Sequence, residues 1–276
     1  MRVSGRCKLL WPPALLSATL GGCQLPPHVP ATPPAQATPA PPVAPPRLGT
    51  PYDVVPEASL LVVLVYRAGA LASAGHNHVI ASHELTGTLY VPPDVRRGSF
   101  ELHVPVATLT VDEAALRAQQ SAADFPPDVS EGAKQGTRRN MLGAALLDAE
   151  HSPEIVLRGV GIAPAAAPAG AAAAAAQAVV ARVESTIRDQ QRSFSVPVCY
   201  RLGDGVLTAT GEFALRQSEL GLTPFSAMLG ALQVQDEMRI RFHIVARRTA
   251  VRDAAGAAPA PPAAAMPDTP CAAPQP

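Results

Sequence analysis

The sequence predicts an all-β fold: an eight-stranded antiparallel barrel with a short helical excursion between strands. Three observations carry that expectation. Across residues 52–250 apolar side chains recur with period two, the mark of strands that bury one face. Turn residues separate eight such stretches. Finally, a single domain of roughly 200 residues suits one closed sheet. Closure removes exposed edges and leaves an interior just wide enough for side chains or one slender ligand.

The strand candidates follow in order. Residues 54–66 form a long apolar run, and 85–91 come next. In 99–106, Phe100, Leu102, Val104 and Val106 share one face and Glu101, His103 and Pro105 the other. Residues 112–147 break the pattern with two helical candidates, 114–120 and 140–147, the second carrying Leu142, Leu146 and Leu147 on a stripe. Residues 154–162 and 179–187 resume the strands around an alanine-rich insertion, 163–178, in which no chemistry is expected. Phe194, Val196, Val198 and Tyr200 alternate along 193–200, and Leu202-Gly203-Asp204-Gly205 reads as a hairpin turn into 206–215. Met238, Ile240, Phe242 and Ile244 alternate with Arg239, Arg241 and His243 in the last strand, 235–245.

The ends of the chain have another character. Arg2, Arg6 and Lys8 precede an apolar stretch, 9–20, that is too short to span a bilayer and is interrupted by Pro12 and Pro13, the shape of a signal peptide. It ends in Leu20-Gly21-Gly22-Cys23, which resembles the lipobox of bacterial lipoproteins; by that resemblance residues 1–23 are a lipoprotein signal peptide and Cys23 is the lipidated residue. Ordinary cleavage after small residues, or an uncleaved anchor, is the other reading. Residues 24–50, rich in Pro and Ala, read as a semi-rigid tether of up to about 80 Å at ~3.1 Å per residue, and 251–276 as a disordered Ala/Pro-rich tail. The expected location is the periplasm or cell envelope, with the protein lipid-anchored to a membrane. Lys plus Arg and Asp plus Glu both number 22, so no global field attracts nucleic acid. Of the 4 cysteines, Cys199 and Cys271 remain for a disulfide in an oxidising compartment.

Several stretches together resemble one family. Tyr52-Asp53, the run to Tyr66-Arg67-Ala68-Gly69, Gly75-His76-Asn77-His78-Val79-Ile80 and Gly87-Thr88-Leu89 look like the opening of the YceI-like lipid- and polyisoprenoid-binding proteins. Asp124-Phe125, Gly136-Thr137-Arg138-Arg139-Asn140-Met141-Leu142, Leu146-Leu147-Asp148 and Ser152-Pro153-Glu154-Ile155 are similar to its helical excursion and return strand. Gly211-Glu212-Phe213 and Leu220-Gly221-Leu222-Thr223-Pro224-Phe225-Ser226 resemble its closing hairpin. The resemblance covers about residues 52–248. It implies a lipocalin-like barrel with an elongated lumen for a long apolar chain; the His-rich start and the alanine insertion depart from the commoner form.

Binding is therefore the expected activity, with an isoprenoid, quinone or fatty-acyl ligand. Leu64, Phe100, Leu102, Phe194, Val196, Val198, Phe213, Leu215, Ile240 and Phe242 are the lumen or core candidates, and His76, His78, Arg138 and Arg139 the headgroup donors at the mouth. His76 and His78, with His83 nearby, have the spacing of metal ligands but no evident Cys or carboxylate partner, so a turn or headgroup role is preferred and no metal or cofactor is expected. No nucleophile elbow, phosphate loop or metalloprotease motif occurs, and Glu101, Glu184, Glu212 and Glu237 fall on solvent faces or turns, so no enzyme is expected. The alternative is an accessory envelope lipoprotein with a side-chain-filled barrel that works through protein or membrane contacts. Pairing of two barrels into a homodimer is left open.

Overall fold

The computed structural model describes residues 47–165 and 177–249. Along the chain run β1 (Thr50–Val54), β2 (Leu60–Ala68), β3 (His78–Ser82), β4 (Thr86–Val91), β5 (Ser99–Pro105), β6 (Thr110–Val111), α1 (Ala114–Ala118), α2 (Glu131–Leu142), β7 (Glu154–Pro164), β8 (Gln177–Ile187), β9 (Gln190–Gly203), β10 (Val206–Arg216), β11 (Ser226–Ala227) and β12 (Leu232–Arg248). Every pairing is antiparallel, in the order β1-β4-β5-β7-β8-β9-β10-β12. β12 then pairs back onto β1, Tyr52 opposite Arg248 and Val54 opposite Ala246, which closes an eight-stranded barrel. The same β12 pairs earlier in its length with β2, which carries β3 and β6. β1 and β2 are thus one strand bent at a 3-10 turn, Pro56–Ala58. The buried Ser59 secures the bend: its hydroxyl donates to the Val55 carbonyl and accepts from the Val245 N–H at 3.0 Å.

Turn chemistry sets the hairpins. Asp204 and Gly205 take φ of 51° and 72°, left-handed values that suit a two-residue turn whose twist matches the strands it joins. The β9–β10 ladder runs from Val206↔Gly203 only to Thr210↔Cys199. Pro197 lies just beyond and has no N–H to offer. Higher up, the rings of Phe194 and Phe213, with centroids 6.2 Å apart, span the two strands instead.

The alternating apolar face points into the barrel and forms, among the described residues, the larger of two cores, which includes Leu102, Val196, Leu215 and Phe242. A smaller core lies outside the barrel wall, where Leu60, Val62 and Leu64 of β2 pack with Val79, Ala81, Leu116 and Phe125. β2 is therefore buried on both sides. Its run Leu60-Leu61-Val62-Val63-Leu64-Val65 shows no alternation for that reason.

Two expectations need adjusting. The first helical candidate is α1, but the second lies earlier than residues 140–147: α2 begins after Ser130, whose hydroxyl accepts from the Ala133 N–H at 3.2 Å, and stops at Gly143. The leucines read as its stripe fall on turns that follow it, apart from Leu142. α2 is mostly polar and buries Met141, so periodicity gave little sign of it. At the alanine insertion, β7 continues through Ala163 and Pro164 and β8 begins at Gln177, so 163, 164, 177 and 178 belong to the ladder; residues 166–176 lie outside the described residues. The signal peptide, Cys23, most of the tether and the tail also lie outside them. Cys199 is buried and disulfide-bonded; Cys271, the other cysteine left for a disulfide, lies outside the described residues.

Candidate functional site

The barrel is hollow. Its lumen is a cavity of about 570 Å³, within the range of roughly 300–1,000 Å³ found for small-molecule sites. Lining positions reach from Arg67, His76 and Gln233 at one end to Tyr90, Val179 and Tyr200 at the other. On β9 alone they extend from Phe194 to Tyr200, about 20 Å at ~3.3 Å per residue. The wall between is almost wholly apolar.

Of the candidates, Phe100, Leu102, Phe194, Val196, Val198, Phe213, Leu215, Ile240 and Phe242 line the lumen. Leu64 does not: it points outward into the smaller core, and Leu61, Val63 and Val65 take the inward places on β2. Two glycines keep the lumen open. Gly159 sits opposite Phe100 and Gly211 opposite Phe242 in their ladders, and in each case a Cβ would lie 2.5 Å from the ring. Each phenyl ring therefore lies over bare backbone and hugs the wall, where a side chain would force it toward the axis.

Polar groups gather at the end where β2 turns into β3. His78 opens β3 with its ring in the lumen wall, and its Nδ1 donates to Asp112 Oδ2 at 2.6 Å. Its Nε2 is hydrogen-bonded to the Thr137 hydroxyl of α2 at 3.0 Å. The other Asp112 oxygen accepts from the Val79 N–H at 2.9 Å and from Arg117 Nη1 at 2.7 Å. Burial would raise the Asp112 pKa, but the hydrogen bonds from His78 and Val79 and the charges of His78 and Arg117 outweigh it and hold the carboxyl below its ordinary range. Asp112 has φ of 54°, a left-handed conformation costly for a residue with a Cβ and retained where the surroundings fix it. Arg117 is only 2 % exposed; it also donates to the Asn77 and Pro126 carbonyls and lies 5.6 Å from the Phe125 ring centroid. Asn77 ties the β2–β3 turn by accepting from the Arg67 N–H and donating to the Asp124 carbonyl.

His76 lines the lumen 6.1 Å from the His78 ring, centroid to centroid. Burial, and the neighbouring His78, Arg117 and Arg67, hold its pKa below the usual histidine value. It therefore presents a neutral ring, able to donate from one nitrogen and accept at the other. Arg138 and Arg139 are exposed and do not line the lumen; Arg138 instead donates to the Leu109 and Ala107 carbonyls, tying α2 to the wall. The carboxylate partners missing from the local sequence come from afar, Asp112 for His78 and Glu113 for the exposed His83. Among the described residues no three His, Cys, Asp or Glu side chains converge as metal ligands. Sequence reasoning missed Asp112 and Thr137 as site residues, since their link to His78 spans 34 and 59 residues.

A closed antiparallel barrel with an apolar lumen and a polar cluster at one end defines the class: a hollow barrel of lipocalin-like build. The chain belongs to the YceI-like family, whose domain model matches residues 52–246. Among solved structures it is similar to BcnA of Burkholderia cenocepacia at 17% identity and a TM-score of 0.48, covering 70% of this chain and 98% of that one. A polyisoprenoid-binding domain from Saccharophagus degradans matches at 10% identity and a TM-score of 0.45, covering 72% and 98%. The YceI protein of Campylobacter jejuni matches at 7% and 0.42, covering 62% and 85%. No curated protein matches the chain.

Proposed function

We propose that the protein is a non-catalytic carrier or receptor for one long apolar molecule of isoprenoid, quinone or fatty-acyl type, held in the lumen with its polar end at His76, His78 and Thr137. The observation that carries this reading is the cavity itself: about 570 Å³ lined by Phe100, Leu102, Phe213, Ile240 and their neighbours, with polar side chains concentrated at one end. Burying an apolar chain there gains about 25 cal/mol per Å², offset by the cost of ordering a flexible tail. Neutral donors and acceptors at His76 and Thr137 suit a hydroxyl, carbonyl or amide headgroup. Arg117 is not available to attract an anion, because Asp112 already pairs with it. The polyisoprenoid-binding description of a protein with the same fold agrees with this chemistry.

The lipobox-like Leu20-Gly21-Gly22-Cys23 supports an envelope lipoprotein, acylated at Cys23, with the Pro/Ala-rich 24–50 holding the barrel off the membrane. On this reading the compartment is the periplasm. Native purification followed by organic extraction and mass spectrometry tests the binding function. A stoichiometric apolar species is expected. A clean extract, with no uptake of a prenyl alcohol or quinone on titration, would instead favour an accessory envelope protein.

A further inference from the structure

The loop between β10 and β12 holds Met228 and Leu229 at φ of 51° and 55°, just before Gly230 at 88°. Left-handed backbone is unfavourable for both side chains, most of all in succession. What the strain achieves is exposure: Met228 is 68 % and Leu229 110 % accessible. Leu71, at the β2–β3 turn, is also exposed, and its N–H donates to the Ala231 carbonyl at 2.8 Å, which brackets the two loops together. Phe225 is partly exposed at the base of this tip while also lining the lumen, as do Leu232 and Gly75. Phe225, Leu232 and Gly75 thus connect the tip to the ligand cavity, at the end that carries Arg67, His76, His78 and Gln233.

We infer that this tip, Leu71 with Met228 and Leu229, docks on a lipid bilayer and places the mouth of the lumen against it. The inference rests on the reading of the lumen as a lipid site. A ligand of that kind is dissolved in a membrane, and a mouth ringed by inserted side chains would let it pass without crossing water. The shape favours a bilayer over a protein. Leu229 is fully exposed on a turn, not seated in the packed, desolvated pocket a protein hot spot requires. Backbone pairing with a partner strand is also closed off locally, because β11 already pairs with β12 at Ser226↔Gln233 and Ala227↔Leu232. Neither Met228 nor Leu229 lines the lumen, so both can be changed without touching the ligand wall.

Among the described residues all barrel pairings lie between Thr50 and Arg248, so the unit of residues 43–276 holds the barrel without the apolar leader. The protein's 1 tryptophan is Trp11, which leaves that unit free of tryptophan. Leu229→Trp in residues 43–276 thus gives a single probe, to be mixed with phosphatidylcholine vesicles containing phosphatidylglycerol. The expected result is a blue shift of its emission and quenching by lipids brominated on their acyl chains. Val160→Trp, exposed on the β7 wall, should show neither. In flotation assays Met228→Asp/Leu229→Asp should lower vesicle binding about tenfold or more, with solution affinity for a soluble prenyl alcohol unchanged. No shift at position 229, an equal shift at 160, or undiminished flotation of the double variant would each overturn the docking tip. Failure of the prenyl alcohol to bind in solution would count against the lumen reading, while the vesicle arms would still report on the tip.

Discussion

A hollow interior requires side chains that stay at the wall, and here Gly159 and Gly211 provide that. A methyl group at Gly159 would meet the Phe100 ring at 2.5 Å, and one at Gly211 both the Pro197 carbonyl oxygen at 2.4 Å and the Phe242 ring at 2.5 Å, so Gly159→Ala should push Phe100 inward and Gly211→Ala should displace Phe242 and the β9 backbone at Pro197. The expected cost is about 1–3 kcal/mol of overpacking strain, read from denaturant midpoints, together with weaker ligand uptake. Asp112 poses the opposite demand, a charge that must remain paired in a dry place. Asp112→Asn leaves Arg117 buried without its countercharge and is expected to destabilise the fold by about 3–5 kcal/mol. Since its folded pKa is depressed, the contribution of Asp112 is present above the unfolded value near 3.9 and is lost as pH falls through the folded value. Histidines act at higher pH. His76 and His243 are both shifted down, chiefly by burial, so near pH 6.5 the unfolded chain binds more protons than the native one and stability rises with pH. Urea melts should show a lower midpoint at pH 5 than at pH 7.5, and His243→Gln should shrink the difference.

Elements differ in how plainly their sequences announce them. β5, β9 and β12 face a core on one side and solvent on the other, so alternation at Phe100 and Leu102, at Phe194, Val196 and Val198, and at Ile240 and Phe242 identified both the strands and the lumen wall. β2 carries a core on each face, and six consecutive apolar residues cannot say which side is the cavity; Leu64, a lumen or core candidate, lies in the outer core. α2 was displaced because its polar sequence has no stripe, although Ser130 followed by Glu131 is a helix-start signal. The polar cluster was half legible. His76 and His78 stood out by spacing, whereas Asp112 and Thr137 reach them only through closure of the fold. These differences are testable. Leu64→Ala should cost about 2–5 kcal/mol as a core truncation and leave ligand affinity unchanged. Phe213→Trp, by contrast, should lower ligand affinity by filling the lumen.

At the scale of the whole molecule, a barrel that encloses about 570 Å³ forgoes the packing a filled core would supply. Its wall is held by the closed ladder and by the cluster at the His78 end, and the missing contacts are those a ligand would make. Stability and occupancy should therefore be linked. A ligand at 100 times its dissociation constant that binds only the native state adds about 2.7 kcal/mol. For a domain of this size that corresponds to a rise in Tm of about 5–10 °C. Protein stripped by hydrophobic chromatography under mild denaturant and then refolded should melt lower than the native preparation by that margin. Adding back the extracted species, or a prenyl alcohol of matching length, should restore the difference. Identical melting before and after stripping, with an intact β-sheet spectrum, would mean that the lumen is empty in the native preparation and that its apolar wall serves the fold alone.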